Sequence, residues 1–371
     1  MRIGFDAKRL FLNNRGLGNY ARNLLYGLVK YHSDNEYFLF TPRVSNEYVS
    51  PGLSNSDNVH VRAPSGIMSL SGAYWRSGRL GNQMKKESMD VFHGLSQELP
   101  LDIRKAGAKS IVTIHDMIFL KHPEFYNPID RWIYFKKVKF AVENADTILA
   151  ISNQTKNDLV NTFKLKEERI KVVYQSCNEV FYDKRTEREL EEVKRKWALP
   201  DQFILYVGAL NENKNVLIIL KALNQLKGKL GIPLVIVGSG IEYKEKLIEY
   251  AASNNLSHQL IFAHDLASPS PLELSSFYQL ASVFIFPSFY EGFGIPVLES
   301  RFSGTPVIAS KGSGLDEAGG TSTLYFDPTE EEELAELIEQ VIKGEEISDN
   351  NVDTFHIENS VTQLMEIYNQ L

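Results

Sequence analysis

The sequence is poor in the features that mark secreted, membrane-spanning and nucleic-acid-binding proteins. Only one of its 371 residues is a cysteine, Cys177, so no internal disulfide can form, as is typical of reducing compartments. No apolar run approaches the roughly 20 residues needed to cross a bilayer. The net charge of −7 gives no general attraction for nucleic acid. These absences, and a charged N-terminal segment unlike a signal peptide, favour a cytoplasmic protein with no nucleic-acid partner.

Motifs for metal-dependent or nucleophilic chemistry are also missing. The chain contains no Asp-x-Asp and no closely spaced group of His, Cys and carboxylates of metal-ligand type. No Gly-x-Ser-x-Gly follows any predicted strand, which argues against a Ser-His-Asp system. The residues around Cys177 do not provide the histidine and cation that activate a thiol. We therefore expect no resident metal or cofactor and interpret Cys177 as structural.

Strand-length apolar runs alternate with helical patterns along the whole chain, whose length suits roughly two domains. Seven runs precede residue 176 and five follow residue 200: RIGFDA, YFLFTP, VHVRAP, DVFHGL, SIVTIHD, TILAIS and IKVVYQ, then FILYVGAL, LVIVGSG, QLIFAH, VFIFPS and PVIAS. This alternation predicts an α/β protein with two doubly wound, Rossmann-like parallel sheets. We place the domains at 1–176 and 177–354, with an irregular crossing that becomes a charged helix at 187–197.

The most informative segment is residues 284–300, FIFPSFYEGFGIPVLES, where two glutamates flank a glycine turn after an apolar strand. Gly292 and Gly294 let the backbone approach a ligand closely, and a proline at 296 suits the first turn of a following helix. Helix N-termini favour anionic or hydroxyl-rich ligands. Carboxylates accept hydrogen bonds in pairs, so Glu291 and Glu299 suit the vicinal hydroxyls of a sugar. A capping glutamate beside an ordinary helix-surface glutamate is the structural alternative.

A second glycine-containing loop follows the first strand. Gly16 and Gly18 precede a helical pattern at 20–31 and are placed to present amides to a phosphate. The loop also matches Gly-x-Gly-x-x-Ala, but it comes several residues late for a dinucleotide-binding fingerprint. The second strand offers Thr41 and Arg43 where that fingerprint needs an acidic residue for the ribose. The position of the loop and the missing acidic residue therefore argue against the alternative that the protein is a dinucleotide-dependent oxidoreductase.

The motif EGFGIPVLE resembles the signature of the retaining glycosyltransferases of family 4. Five further blocks, in the family's order, look like its other motifs: RGLGNYARNLL at 15–25, TIHDMIFL at 113–120, AISNQTKNDL at 150–159, YVGALNENKN at 206–215 and GTPVIAS at 304–310. Together they span nearly the whole chain. The resemblance implies the GT-B fold, in which an N-terminal acceptor-side domain faces a C-terminal nucleotide-sugar domain across a cleft. It also implies that the terminal helix, at 355–371, packs back on the N-terminal domain.

The resemblance implies a role for each motif residue. His115 would touch the transferred sugar and steady positive charge at its anomeric carbon, with Asp116 orienting it or contacting acceptor. Glu291 would hold hydroxyls of that sugar, and Glu299 the ribose. Lys214 would hold the leaving diphosphate together with the loop of Gly16 and Gly18. The remaining donor contacts would come from the turn and from the neighbourhood of the base: Gly292, Phe293, Gly294, Ile295, His264 and Leu266.

Two features leave alternatives open. Related sequences commonly carry an arginine beside this lysine or just after the glycine, where this chain has Asn213 and Ala209. Either Lys214 works with the amides of the glycine loop and a helix N-terminus, or a remote arginine such as Arg15 supplies the second charge. His93, which ends the strand DVFHG, is a weaker candidate for lining the acceptor side. The structural alternative for each histidine is a residue whose hydrogen bonds are satisfied within the fold.

Basic and aromatic residues interleave at 131–140, RWIYFKKVKF. The pattern is consistent with a buried helix whose lysines extend to solvent. It is also consistent with a helix that contacts an anionic membrane surface, which would suit a lipid-linked acceptor.

Taken together, the motifs predict a retaining, metal-independent hexosyltransferase that uses a nucleoside diphosphate sugar and a glycan or lipid-linked acceptor in polysaccharide or glycoconjugate synthesis. GDP-mannose is the first donor to consider, because the blocks at 15–25 and 113–120 resemble bacterial polysaccharide mannosyltransferases. A nucleotide-sugar isomerase of the same fold is the nearest alternative. A sugar-binding protein with two hinged lobes is disfavoured because such proteins are exported.

Overall fold

The computed structural model of the chain describes residues 1–13, 15–45, 47–49, 51–65, 71–263, 268–344 and 351–371. It divides into two compact units. Unit 1 comprises Met1–Ser176 together with Phe355–Leu371, and unit 2 comprises Cys177–Thr354. Each unit is built around one parallel sheet.

Unit 1 contains a sheet of seven parallel strands among its described residues, in the order β3-β2-β1-β4-β5-β6-β7. The strands are β1 Arg2–Asp6, β2 Glu36–Phe40, β3 Val59–Arg62, β4 Val91–Gly94, β5 Lys109–Ile114, β6 Thr147–Ala150 and β7 Ile170–Val172. The order reverses at β1, which pairs with both β2 and β4. Such a switch point opens a crevice beyond the carboxyl ends of the strands, where ligands of doubly wound folds bind.

Helices cover the sheet of unit 1. They are α1 Lys8–Leu12, α2 Gly16–Tyr31, α3 Pro51–Ser54, α4 Gly72–Gly78, α5 Leu80–Lys86, α6 Ile118–Lys121, α7 Pro128–Asn144 and α8 Asn153–Phe163, together with the last helix of the chain, Ile357–Asn369. That terminal helix packs on α2. A Cβ built on Gly27 of α2 would lie 2.7 Å from Ile357, so the two helices approach at a point that only glycine permits.

Unit 2 contains a sheet of six parallel strands among its described residues, in the order β10-β9-β8-β11-β12-β13. The strands are β8 Ile204–Val207, β9 Leu234–Val237, β10 Leu260–Phe262, β11 Val283–Phe286, β12 Val307–Ser310 and β13 Thr323–Phe326. The helices are α9 Glu187–Trp197, α10 Leu217–Gln225, α11 Ile241–Ser253, α12 Pro271–Leu280, α13 Ile295–Ser303, α14 Leu315–Gly319 and α15 Glu331–Ile342, and the terminal helix of unit 1 is then α16. Here the order reverses at β8, which pairs with β9 and β11.

The expected fold class is confirmed, since both sheets are parallel and doubly wound. Strand β11 is buried along its whole length, because helices cover both faces of a parallel sheet and its strands therefore read as continuous apolar runs. Helix α9 begins with a capping box between Thr186 and Glu189, and its last turn is basic, in agreement with the helix dipole.

Two features differ from expectation. Strand β13, Thr323–Phe326, was not predicted, because it is a short edge strand whose central residues are half-exposed and it lacks a long apolar run. The segment 131–140, for which the sequence allowed either a buried helix or a helix in contact with a membrane, lies in α7, and the buried alternative fails there because the first half of α7 is largely exposed. Among the helices in the described part of the chain, none is both long enough and apolar enough to cross a membrane.

Candidate functional site

The candidate site of unit 2 lies beyond the carboxyl ends of β8, β11 and β12, at the switch point of its sheet. Hydrogen bonds join the loops that follow these strands. The amide of Phe289 donates to the carbonyl of Asn213 at 2.9 Å, and the amide of Gly314 donates to the carbonyl of Glu291 at 3.0 Å. The hydroxyl of Ser310 donates to the carbonyl of Ser288. The loops therefore form one connected surface, on which the side chains below are positioned.

The glycine turn before α13 is sterically constrained. Gly294 has a φ of 134°, and a Cβ at this position would lie 2.6 Å from Leu315. A Cβ on Gly314 would lie 2.1 Å from the carbonyl oxygen of Gly292. Both positions therefore require glycine. The turn brings the start of α13 to the sheet edge, where Gly292, Phe293 and Gly294 are buried and Ile295 is half-exposed.

Lys214 and Glu291 form an ion pair at this edge. Lys214 ends a short 3₁₀ turn, Glu212–Lys214, after β8, and its ammonium lies 5.7 Å from the ring centroid of Phe286. Each of the two side chains is 18% exposed, so both charges are partly shielded from water yet open to a ligand. The sequence predicted both residues at a ligand site, and the structure shows that they contact each other.

Glu299 lies in the second turn of α13 and is buried in unit 2. The hydroxyl of Tyr278 on α12 donates to its Oε2 at 2.9 Å. Burial raises the pKa of Glu299 to about 7, against the hydrogen bond from Tyr278, which lowers it. The carboxyl group therefore changes charge near neutral pH, and a ligand that donates hydrogen bonds to it would favour the ionised form.

His115 follows β5 at the carboxyl edge of the sheet in unit 1 and is almost completely buried. Its Nε2 donates to the carbonyl of Leu95 at 2.8 Å, and its Nδ1 accepts from the side-chain amide of Gln175 at 3.1 Å. The ring of Tyr20 meets it edge to face at 4.7 Å. Burial lowers the pKa of His115 to about 4, although its hydrogen bond to Leu95 opposes this shift. The imidazole is thus neutral and fixed in one tautomer. Asp116 caps the next turn by accepting from the amide of Ile118 at 3.1 Å.

His93 does not line a ligand surface. It is fully buried and forms hydrogen bonds of 2.7 Å with Tyr368 of α16 and with Thr113 of β5. Burial lowers its pKa to about 3, and the nearby His115 adds to the shift. The expectation that His93 lines the acceptor side was therefore wrong, because His93 faces the terminal helix α16, which covers it through Tyr368.

The glycine loop of unit 1 forms the first turn of α2. Gly16 is exposed, whereas Gly18 is buried and packs so closely on the preceding loop that a Cβ would lie 1.8 Å from the carbonyl oxygen of Asn13. The amide of Gly18 donates to the carbonyl of Arg15 at 2.8 Å. Gly18 therefore serves the turn itself, and Gly16 is the more open of the two. Arg15 is exposed at the start of the helix.

A charged cluster at the same edge of unit 1 was not foreseen from the sequence. Arg76 of α4 bridges Asp6 at the end of β1 and Glu98 in the loop after β4, at 2.5 and 2.6 Å. Lys137 of α7 donates to the other oxygen of Glu98 at 2.9 Å. Burial opposes the charge on Arg76, but the two carboxylates outweigh it and raise the pKa of Arg76. No local motif joins these residues, which are up to 131 positions apart in sequence, between Asp6 and Lys137.

The sequence analysis also missed Gln175 and Tyr278, which form hydrogen bonds with His115 and Glu299. Each of them is distant in sequence from the residue it contacts. Their only local signal is a polar side chain at a strand end or on a buried helix face. The expected base contacts, His264 and Leu266, lie outside the described residues.

Two family models match this chain. Residues 14–178 match the family model described as Glycosyltransferase Family 4, and residues 187–353 match the model Glycosyl transferases group 1. The chain is 28% identical over 295 residues to O-antigen chain mannosyltransferase B of Escherichia coli, which covers 76% of this chain and 74% of that protein. It is 30% identical over 245 residues to the serotype-specific mannosyltransferase WbdA of Escherichia coli, covering 64% of this chain but only 29% of that longer protein.

The fold also matches solved structures. The protein HepE from Anabaena, crystallised in complex with UDP-glucose, superposes with a TM-score of 0.76 at 17% sequence identity, over 100% of both chains. At this identity the match concerns the fold, which is GT-B. The resemblance seen in the sequence motifs is confirmed: this chain belongs to the glycosyltransferases of family 4, and its two halves correspond to the family 4 and group 1 domains.

Proposed function

We propose that this glycosyltransferase moves a hexose from a nucleoside diphosphate sugar to a hydroxyl of a glycan or lipid-linked acceptor, with retention of the anomeric configuration. The observation that carries the proposal is the Lys214–Glu291 pair beside the start of α13, with Glu299 buried further along the same helix. The joined loops thus carry a cation, a carboxylate and the first amides of α13, and the second carboxylate lies further along that helix. A diphosphate and the hydroxyls of two sugars require these groups.

The leaving diphosphate is assigned to Lys214 and to the first amides of α13. Lysine is a compact point charge suited to a phosphate oxygen, and a helix N-terminus carries partial positive charge. The pairing of Lys214 with Glu291 keeps its ammonium in place before the donor binds. Because these groups can neutralise the leaving group, the reaction needs no divalent cation.

The two glutamates are assigned to different sugars. Glu291, at the open end of the turn, accepts from hydroxyls of the transferred hexose. Glu299, deeper in unit 2, accepts from the ribose hydroxyls through the oxygen that Tyr278 does not occupy. Since Glu299 is ionised only above about pH 7 in the free protein, ribose binding favours its charged form.

Retention follows from the roles of these groups. The charge of Glu291 is balanced by Lys214, and Glu299 is buried. Neither carboxylate is therefore free to act as the general base that an attack on the face opposite the leaving phosphate, which would invert the anomeric carbon, requires. The phosphate oxygen that leaves, held by Lys214, is then the group that takes the acceptor proton, and the acceptor attacks from the face that the phosphate vacates. In unit 1, His115, which the family resemblance assigns to the transferred sugar, is neutral and is held in one tautomer by Leu95 and Gln175.

We propose mannose as the sugar and GDP-mannose as the donor. Support comes from the two relatives, both named as mannosyltransferases, and from the block at 15–25. The nucleobase of the donor must be tested separately from its sugar, because the HepE complex contains UDP-glucose. A panel of labelled GDP- and UDP-sugars, with mannose, glucose and galactose on each nucleotide where such donors exist, tests the assignment. Transfer to a mannoside acceptor from GDP-mannose alone is expected, and transfer from a UDP-sugar alone would contradict it.

A further inference from the structure

The first half of α7, Pro128–Asn144, carries an exposed apolar stripe. Ile129, Trp132 and Ile133 are 69%, 61% and 37% exposed. Their spacing of three and four positions places them on one face of the helix, and Lys136 continues that face one turn further. We call these four residues the α7 stripe.

The stripe is opposite the face by which α7 packs on unit 1. Val138, Ala141 and Val142 are buried and belong to the core of unit 1. These residues lie about half a turn of the helix away from the stripe. A surface helix normally turns polar residues to solvent when its apolar face is buried. Helix α7 instead has apolar residues on both faces, so packing within unit 1 does not account for the stripe.

Positive charge accompanies the stripe. Lys136 lies 5.7 Å from the ring centroid of Trp132. Lys139, which flanks the stripe, is only loosely paired with Glu143 at 3.7 Å, and Lys137 is bonded to Glu98. The exposed end of the helix therefore combines a tryptophan, two isoleucines and lysines, the composition of a helix that lies in a lipid interface.

We propose that the α7 stripe docks unit 1 on an anionic phospholipid surface. Trp132, Ile129 and Ile133 enter the boundary between headgroups and acyl chains, and Lys136 and Lys139 contact lipid phosphates. A second copy of the chain fits less well. A stable dimer buries about 800 Å² on each partner, from some 20–30 residues. The stripe is one short helix face, and two copies would bring their lysines together. The inference does not rest on the proposed transfer reaction.

Tryptophan fluorescence tests the proposal directly. The chain has three tryptophans, and Trp75 and Trp197 are 7% and 3% exposed, so a change on binding reports on Trp132. Vesicles of phosphatidylcholine and phosphatidylglycerol in equal parts are expected to shift the emission to shorter wavelength and to reduce quenching by acrylamide. Vesicles of phosphatidylcholine alone are expected to bind at least tenfold more weakly, and salt should weaken the anionic binding.

Matched variants separate the stripe from general surface properties. Trp132→Phe with Ile129→Ser and Ile133→Ser, followed by vesicle sedimentation, is expected to lose tenfold or more in partitioning. Lys136→Gln is expected to lose about fivefold, the usual effect of one basic residue near an anionic surface. The controls are Ile241→Ser, at a residue 80% exposed in unit 2, and Lys166→Gln, at a lysine whose side chain is 80% exposed. Both controls should bind like the unaltered protein.

Three outcomes would overturn the proposal. The first is no vesicle binding by the unaltered protein. The second is equal binding to neutral and anionic vesicles that the stripe variants do not change. The third is a concentration-dependent dimer in analytical ultracentrifugation that Ile133→Ser abolishes, which would assign the stripe to a second copy. None of these measurements uses a sugar nucleotide, so their failure is distinguishable from failure of the proposed function.

Discussion

Replacing Glu299 by glutamine should make unit 2 more stable in alkali while weakening its hold on a nucleotide. Glu299 is 8% exposed and accepts from the hydroxyl of Tyr278. Burial raises its pKa from 4.5 to about 7, so the folded protein holds a proton that the unfolded chain has already lost between these pH values. Glutamine has nearly the same shape and stays neutral, so it removes the cost of burying a charge without emptying the site.

The sign and size of the expected change in the free energy of unfolding follow from the linkage between protonation and folding. For a carboxyl whose folded pKa is raised, the stabilising contribution is fully present below pH 4.5 and is lost as the pH rises through 7. A rise from 4.5 to about 7 corresponds to about 3 kcal/mol at 1.36 kcal/mol per pH unit. Glu299→Gln should therefore match the unaltered protein near pH 4.5 and be more stable by up to about 3 kcal/mol at pH 9.

The same substitution should weaken nucleotide binding. Loss of a charged acceptor for buried hydroxyls costs roughly 1.5–3 kcal/mol, about tenfold to a hundredfold in affinity. At pH 6.5, binding of GDP or UDP to the unaltered protein should also release protons, because the ribose favours the ionised carboxylate. Titration calorimetry in two buffers with different ionisation enthalpies measures that release, and Glu299→Gln should abolish it.

Glu273→Gln is the matched control, on the same helix as Tyr278. Burial acts to raise the pKa of Glu273, but hydrogen bonds from Lys196, Ser270 and Trp197 outweigh it and lower the pKa to about 2. This variant should lose stability at neutral pH and keep its nucleotide affinity. Urea unfolding at several pH values gives both stabilities. Equal nucleotide affinity in Glu299→Gln and the unaltered protein would refute the ribose role, and a stability difference independent of pH would refute the assigned charge state.

Three further predictions concern the ion pair, the metal and the buried histidines. Lys214→Met and Glu291→Gln should each lower kcat/KM strongly. In the double variant, the loss of transition-state stabilisation should be smaller than the sum of the two single losses by about 1–3 kcal/mol, because each single change leaves a charged partner unpaired. Additive losses in kcat/KM would show that the pair does not act as a unit. Transfer should survive excess chelator, and activity restored only by magnesium or manganese after chelation would contradict the assignment of the diphosphate to Lys214. Unit 1 should lose stability as the pH falls from 6.5 towards 4, because burial lowers the pKa of His115 and of His93 in the folded protein. Unfolding followed by circular dichroism in acid should show a smaller loss of stability for His93→Phe than for the unaltered protein.

The sequence predicts the fold well where burial imposes a simple pattern. Twelve of the thirteen strands found in the described part of the chain coincide with predicted apolar runs, because parallel strands covered on both faces are continuously apolar. Strand β13, Thr323–Phe326, lacks that pattern at the sheet edge. Helix α9 was predicted with its bounds because its capping residues and charges are local.

The candidate site is predictable to the extent that it is carried by local motifs. Glu291, Gly294 and Glu299 share one turn and helix, so their spacing alone places them together. The contact of Lys214 with Glu291 spans 77 positions and depends on the switch point of the sheet. Gln175 and Tyr278 form hydrogen bonds with predicted residues that the tertiary fold brings close to them. Patterns in a single sequence do not reveal such contacts.

Buried polar residues and exposed apolar ones are the hardest to predict. His93 lies near the carboxyl end of β4 and His115 directly follows β5, yet His93 is covered by Tyr368 from the far end of the chain. Trp132 and Ile133 read as core residues by type, yet the structure exposes them. In both cases the environment depends on which elements cover a surface, and that is decided by the packing of the whole unit.

The anomeric configuration of the first-formed product tests the central claim most directly. In the proposed mechanism, the departing phosphate oxygen beside Lys214 takes the acceptor proton, so the acceptor attacks from the face that the leaving group vacates. Proton NMR of the product formed from an α-linked nucleoside diphosphate hexose and a glycoside acceptor should show an α-glycoside. A β-glycoside would contradict the mechanism and the role given to the ion pair.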